Sequence, residues 1–181
     1  MQGCFCNTYY LERKLGWSGI AIDANGEFAR GYSKHRPRTQ FFNFFVSDKS
    51  DGLADFLIVR DRGELTRSTA VPNLVSGRKT EEVQVPTITL NELLEKLGVE
   101  KVDFFTIDIE LWEPYALAGF DIDKYKPELV CIEAHHQVRG RLLPYFLDHG
   151  YVRLNQYFLF DQRNWYFTTK DNYSNLFDVP F

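Results

Sequence analysis

Short apolar runs alternate with amphipathic stretches along most of this chain. A nearly continuous apolar run is typical of a strand that is covered on both faces in a parallel sheet. Four segments have this pattern: Ser18–Ile22, Thr39–Val46, Val102–Ile107 and Leu129–Ile132. Helical spacing marks Asn7–Leu15, Glu27–His35, Asn91–Leu97 and Val138–His149. The alternation predicts an α/β fold with a doubly wound, mostly parallel sheet.

Two regions depart from this alternation. Leu53–Val59 and Glu82–Thr89 predict strands on either side of the polar loop Arg60–Thr80, which is long enough to indicate a function or mobility. We therefore predict one domain over residues 1–181, with a β-rich insertion at residues 53–89. Near the C-terminus, Tyr151–Leu159 and Asn164–Thr169 predict an antiparallel hairpin at the edge of the sheet.

Polar side chains follow several of the apolar runs at their C-terminal ends. Asp23 follows the first run, Asp108 and Glu110 follow Ile107, and Glu133 and His135 follow Ile132. In open α/β sheets, ligands bind at this edge because the strand-to-helix loops there form a crevice. We expect these strand ends to meet around a shared small-molecule cleft.

Each candidate has a structural alternative. Asp23 is suited to bind a ribose diol, and it is equally suited to cap the helix that follows. Ser47 and Asp48 end the next run and could contact an adenine edge, although turn formation is the favoured interpretation. Asp108 and Glu110 need a cation, a hydrogen-bonding ligand or water, because unpaired buried charge is costly. With Glu133 and His135 they could form a general acid/base group or a metal site.

Composition narrows the classes of function. The net charge of −4 argues against a general affinity for nucleic acid, and 44% hydrophobic residues are enough for a substantial core. No apolar run approaches the ~20 residues that a membrane span needs, and the N-terminal residues lack signal-peptide features. We therefore expect a cytoplasmic protein with neither nucleic acid nor membrane as a partner. Cys131 lies inside an apolar run and is predicted to be a small buried side chain.

The chain also resembles a known family. The blocks NTYYLERKLGWSGIAIDAN, FFNFFVSDKSDG, VPTITLNELLEKLGVEKVDFFTIDIE and EPYALAGFDIDKYKPELVCIEAH resemble, in this order, the FkbM family of S-adenosylmethionine-dependent methyltransferases. The resemblance implies a Rossmann-like methyltransferase fold and transfer of a methyl group to a hydroxyl of a sugar or small natural product. It places Asp23 and Asn25 at the cofactor ribose, Ser47 and Asp48 at the adenine, and Asp108 near the methionine end. Glu110 and His135 would face the small-molecule acceptor as catalytic residues.

Two departures from the family pattern leave alternatives open. The glycine-rich D-x-G-A-x-x-G loop of the family does not occur here, so the first strand is expected to be missing or supplied by another segment or subunit. The usual glycine after the D-x-E corner is Leu111. One alternative is a catalytically inactive binding or assembly module, whose exposed sheet edge a symmetric partner would cover in a homodimer. The other is a metal-dependent hydrolase that uses Asp108, Glu110, Glu133 and His135, although we predict no metal ligands for the methyltransferase itself.

Overall fold

The computed structural model describes residues 8–60 and 68–177, with side chains up to residue 174. The chain divides into two compact units. The first unit contains the chain up to Val46 and Ser50–Ile88, and the second contains Ser47–Lys49 and the chain from Thr89 onwards. Both units combine helices with strands, so the predicted α/β class is confirmed. Asn7, the predicted start of the first helix, and residues 61–67 of the predicted loop lie outside the described residues.

The first unit begins with a helix and two parallel strands. Its elements are α1 (Tyr9–Leu15), β1 (Gly19–Ile22), a 3-10 turn (Gly26–Phe28), α2 (Ala29–His35), β2 (Thr39–Phe42), β3 (Phe45–Val46), β4 (Leu53–Val59), a second 3-10 turn (Pro72–Val75) and β5 (Thr80–Ile88). α1 ends at Gly16, whose φ of 76° is a left-handed conformation that glycine adopts without steric cost. β1 and β2 pair in parallel.

One predicted strand is divided in the structure. Thr39–Val46 was expected to be continuous, but β2 pairs with β1 while β3 pairs in parallel with β5. Asn43 lies between the two pieces, and its side-chain amide donates to the carbonyl oxygens of Asp23 and Ala24. Because these two hydrogen bonds fix Asn43 against the preceding turn, the chain does not continue as one straight strand. β4 pairs antiparallel with β5 along the whole length of β4, which confirms the two strands predicted within residues 53–89.

The second unit contains a four-stranded mixed sheet. Its elements are α3 (Leu90–Lys96), β6 (Phe104–Ile107), α4 (Glu113–Ala118), α5 (Ile122–Tyr125), β7 (Leu129–Glu133), α6 (Arg139–Asp148), β8 (Tyr151–Arg153), a 3-10 helix (Asn155–Leu159), β9 (Asn164–Thr169) and α7 (Lys170–Phe177). The strand order is β6-β7-β9-β8. β6 and β7 are parallel, whereas β9 runs antiparallel to both β7 and β8.

The predicted C-terminal hairpin is present, with a shorter first strand. β8 stops at Arg153, whose Nε donates to the Asn155 side chain at 2.6 Å, and a 3-10 helix replaces the rest of the expected strand. The sheet core is well packed: the rings of Phe146 and Phe167 are fully buried and stack with centroids 4.2 Å apart. Cys131 lies on β7 and is buried, as predicted.

The strand pairing gives three short sheets among the described residues, one of two parallel strands and two of mixed direction. A single doubly wound sheet therefore remains a proposal, although the mixture of helices and strands is consistent with a methyltransferase-type domain. Within residues 8–60 and 68–177, no helix has the length and apolar character that crossing a membrane requires.

Candidate functional site

The end of β1 forms a tight polar corner in the first unit. The Asp23 carboxylate accepts a hydrogen bond from the Asn25 N–H at 2.7 Å, and the Asn25 side-chain oxygen accepts one from the Glu27 N–H at 3.1 Å. Asn25 thereby caps the 3-10 turn, so the capping predicted for Asp23 belongs to its neighbour. Asn25 is fully buried, yet its Nδ2 donor has no hydrogen-bond partner among the described residues. This corner therefore retains a buried donor next to a carboxylate.

Ser47 and Asp48 belong to the second unit. The Ser47 hydroxyl donates to the Asp48 carboxylate at 3.1 Å. Gly119 packs so closely on this turn that a Cβ there would lie 2.5 Å from the Ser47 carbonyl oxygen and 3.1 Å from the Thr89 Cβ. A backbone oxygen cannot move aside cheaply, so Gly119 is required for this contact. The turn beside Ser47 is thus fixed by backbone packing, and its role at an adenine stays a prediction.

The parallel pairing of β6 and β7 brings two carboxyl groups together. Ile107 lies opposite Ile132, so the next residues along the two strands, Asp108 and Glu133, leave the sheet side by side. Their side chains share a hydrogen bond. Two carboxyl groups can share one only if one of them holds a proton. The predicted meeting of acidic strand ends is therefore present at this edge of the second unit.

The surroundings favour a protonated carboxyl in this pair. Burial raises the pKa of Glu133, and the negative charges of Asp108, Glu110 and Glu113 raise it further, to about 8. Asp108 keeps contact with solvent, but the neighbouring protein atoms exclude enough water to raise its pKa as well. The hydrogen bond with Glu133 and the positive charge of Arg163 act in the opposite direction on Asp108. The two carboxyls together therefore hold a proton more readily than two separated carboxyls would.

A strained backbone corner follows Asp108. Glu110 and Leu111 have φ values of 55° and 76°, a left-handed conformation that is unfavourable for residues with a Cβ. Glu113 stabilises the corner because its Oε1 accepts the Ile109 N–H at 3.0 Å. Glu113 is fully buried, and burial raises its pKa although this hydrogen bond lowers it. Leu111 thus adopts the conformation that glycine favours without being glycine.

His135 lies two residues beyond Glu133, in the turn before α6. Its Nδ1 is hydrogen-bonded to the Gln137 side-chain oxygen, and its ring lies 5.2 Å from the ring of His136. An amide oxygen only accepts, so Nδ1 donates in this pair and the lone pair of a neutral ring lies on Nε2. The predicted roles of Glu110 and His135 in catalysis stay predictions.

Three residues that contribute to these corners were not predicted. Glu113 was not among the predicted site residues, although a glutamate five residues after Asp108 at the first turn of a helix is a signal for contact with nearby N–H groups. Arg163 ends the turn before β9, and its carbonyl oxygen accepts the Ala134 N–H, which places it beside the end of β7. Asn43 interrupts an apolar run, which is a local signal for a bend.

The structure thus brings together Asp108, Glu110, Glu113 and Glu133 in the second unit, and Asp23 with Asn25 in the first. Among the residues that the structure describes, no group of three or more His, Cys, Asp or Glu side chains is arranged to hold a metal ion. No observation therefore favours the metal-dependent hydrolase.

Comparison with known proteins identifies the family. A model of the methyltransferase FkbM domain matches residues 3–153, which include each residue predicted for the site from Asp23 to His135. No curated protein and no solved structure matches the chain. Because the family model covers well over half of the chain, this protein belongs to the methyltransferase FkbM family.

Proposed function

We propose that the chain transfers a methyl group from S-adenosylmethionine to a hydroxyl of a sugar or another small natural product. The observation that carries this proposal is the pair of carboxyl groups, Asp108 and Glu133, at the adjoining C-terminal ends of β6 and β7 in a member of this family. That edge is where α/β sheets place ligands. A Rossmann-like arrangement that unites the strand ends is part of the proposal.

The residues present fit this cofactor in two respects. S-adenosylmethionine carries a sulfonium and an ammonium group, and a group of carboxyls with little compensating positive charge attracts cations. In the first unit, the buried Asn25 donor and the neighbouring Asp23 carboxylate offer both kinds of hydrogen-bonding group that a ribose diol needs. We propose that Asp108 binds the methionine end, Asp23 and Asn25 bind the ribose, and Ser47 and Asp48 lie at the adenine.

Methyl transfer then depends on the orientation of the acceptor hydroxyl and on a base that accepts its proton. When bound, the cofactor supplies an electrophilic methyl group. The chain must hold the acceptor hydroxyl in line with it, so orientation accounts for much of the rate enhancement. His135 is suited to accept the hydroxyl proton, because its hydrogen bond to Gln137 leaves the Nε2 lone pair as the acceptor. The Glu110 carboxylate is the second candidate base.

Isothermal titration with S-adenosylmethionine tests the cofactor assignment. We expect binding by the wild-type chain and a loss of roughly tenfold to a hundredfold in Asp108→Asn, the usual effect of removing a charged hydrogen-bond partner. Asp103→Asn is the matched control, because Asp103 lies just before the opposite end of β6 and pairs with Lys101 at 2.8 Å. No heat at millimolar cofactor would reject the proposal for this chain.

A transfer assay separates the enzyme from the inactive module. The wild-type chain is incubated with methyl-labelled cofactor and a panel of sugars and small alcohols, and label in the acceptor is counted. We expect transfer to at least one acceptor and its loss in the Glu110→Gln and His135→Gln double variant. Binding of cofactor without transfer to any acceptor would instead favour the binding or assembly module.

A further inference from the structure

Four consecutive apolar side chains protrude from the second unit after β8. We call Tyr157–Phe160 the apolar tip. Tyr157 and Phe158 are 43% and 46% exposed, and Leu159 and Phe160 are 83% and 89% exposed. At such fractions the last two side chains have scarcely any protein atoms around them. Contiguous exposed apolar groups of this size mark interaction surfaces, whereas isolated ones do not.

Arginines lie near the base of the apolar tip. Arg153 and Arg163 bracket it in sequence, and Arg153 lines a small cavity of about 10 Å³ together with Phe158 and Trp165. The guanidinium groups of Arg153 and Arg139 lie 4.7 and 5.3 Å from the centre of the Trp165 ring. Contact with the buried Trp165 ring therefore keeps these two guanidinium groups close to the apolar tip.

Little negative charge opposes these arginines within the same segment. Asp161 is the sole acidic residue between Arg153 and Arg163. Its carboxylate accepts hydrogen bonds from the N–H groups of Arg163 and Asn164, from the Asn164 side chain and from the Tyr166 hydroxyl. Although burial alone would raise the pKa of Asp161, these hydrogen bonds lower it. The carboxylate is thus engaged within the turn, while Arg163 also faces Asp108.

We propose that the apolar tip inserts into the headgroup region of an anionic lipid bilayer, with Arg139 and Arg153 against lipid phosphates. Aromatic and leucine side chains with adjacent basic residues are the composition that favours the membrane interface. A fluid interface also accommodates a protruding tip, whereas a protein partner must present a matching pocket. The chain has no apolar run of the length that a membrane span needs, but a surface contact of this kind requires only a short apolar segment.

Co-sedimentation of the full chain with vesicles tests this proposal. One set of vesicles contains phosphatidylcholine alone, and the other contains equal parts of phosphatidylcholine and phosphatidylglycerol. We expect binding to the anionic vesicles that weakens as salt is raised, and a loss of at least about tenfold in the Leu159→Ser and Phe160→Ser double variant. Leu53→Ser is the matched control, because Leu53 is 65% exposed in the first unit, and its binding should equal that of the wild type.

A second variant gives a positive signal. In Leu159→Trp, the added indole should shift its emission to the blue when anionic vesicles are added, and Leu53→Trp should show no shift. The proposal would be overturned if the wild type bound neither set of vesicles, or if the double variant bound as well as the wild type. It would also be overturned if sedimentation equilibrium showed that the double variant converts a dimer to a monomer, since the tip would then contact a second copy of the chain.

Discussion

Glu12 in the first unit is buried and Glu133 in the second is half-buried, and the groups around these two carboxyls carry opposite charges. Glu12 lies 2.5 Å from the Arg36 guanidinium and accepts further hydrogen bonds from the Thr39 hydroxyl and the Arg38 N–H. Although burial alone would raise the pKa of Glu12, these partners lower it. Glu133 instead has three carboxyl groups as neighbours, and its pKa is raised.

The difference separates a structural group from a candidate functional one. A buried ion pair whose oxygens all have donors holds an element in place, as Glu12 holds α1 against the chain between α2 and β2. The carboxyls around Glu133 destabilise one another, and the Oε2 atoms of Glu133 and Glu113 have no hydrogen-bond partner among the described residues. Perturbed carboxyls with unsatisfied oxygens at a sheet edge are typical of ligand sites. The second arrangement lowers stability unless a ligand compensates it.

The largest effect is expected from breaking the compensated pair. Arg36→Met leaves Glu12 as an unpaired buried charge, and we expect the free energy of unfolding to fall by about 3–5 kcal/mol. Urea denaturation followed by circular dichroism measures this. Adding Glu12→Gln to the same variant removes the charge, so the double variant should recover much of the loss. A double variant that is no more stable than Arg36→Met would contradict the account.

Acid should weaken the same pair. The folded-state pKa of Glu12 lies below its ordinary value of 4.5, so its contribution is fully present above that pH and is lost as the pH falls towards the folded-state pKa. The wild type should therefore lose stability below about pH 4.5 more steeply than the double variant of Glu12 and Arg36. Denaturation curves recorded across this range make the comparison.

An intermediate effect of opposite sign is expected at Glu133. Its folded-state pKa is about 8 against an ordinary 4.5, so the folded chain holds the proton in this interval while the unfolded chain releases it. Stability of the wild type should therefore fall as the pH rises from 4.5 to about 8. Glu133→Gln cannot ionise, and it should exceed the wild type by about 2 kcal/mol above that interval, after allowance for solvent screening.

The matched control for this prediction is Glu128→Gln. Glu128 lies just before β7, at its opposite end, and pairs with Lys101 on the surface at 2.5 Å. Removing such an exposed pair changes stability by at most about 1 kcal/mol. Measured against pH, the advantage of Glu133→Gln should grow from acid to base, whereas that of Glu128→Gln should not. If the free energy of unfolding changed equally with pH in Glu133→Gln and in the wild type, the raised pKa of Glu133 would be refuted.

The smallest effect concerns the strained corner. Leu111 has a φ of 76°, so the Leu111→Gly variant should be more stable than Leu111→Ala by about 1 kcal/mol. Both variants lose the leucine side chain, but alanine keeps the Cβ that is unfavourable in this conformation. At Leu97, with φ of −90°, the order should reverse by about 0.5–1 kcal/mol. Urea denaturation of the glycine and alanine variants at both positions tests the two expected orders of stability. Alanine more stable than glycine at both positions would show that the corner holds no backbone strain.

The sequence predicted these strand ends better than it predicted their contacts. The apolar runs before Asp108 and Glu133 are local signals, and two such runs joined by a helical segment favour parallel neighbours. Their side-by-side placement depends on register, which a single sequence does not specify. The support that Glu113 gives depends on left-handed residues at Glu110 and Leu111, which residue preferences alone would argue against. Arg163 reaches this edge through the antiparallel pairing of β9 with β7, a contact between segments far apart in the chain.

Other differences have similarly local causes. The division of the predicted strand Thr39–Val46 follows from one amide, Asn43, which binds two carbonyl oxygens of the preceding turn. The first three residues of the apolar tip, Tyr157–Leu159, lie in the segment Tyr151–Leu159 that was expected to be a strand. They belong to a 3-10 helix instead, because the pairing of β8 with β9 ends at Arg153. The hydrophobic pattern identifies which side chains can be buried, but the pairing of the strands determines which of them are buried.

The buried thiol of Cys131 gives this sheet a chemical reporter. Cys131 is 2% exposed on β7, the strand that ends in Glu133 and lies between β6 and β9. A thiol reagent can reach it only when the strands separate, so with Cys4 and Cys6 replaced by serine the labelling rate measures how often the second unit opens. A ligand that binds among the carboxyls should slow this labelling, even when its chemical identity and its fate are unknown.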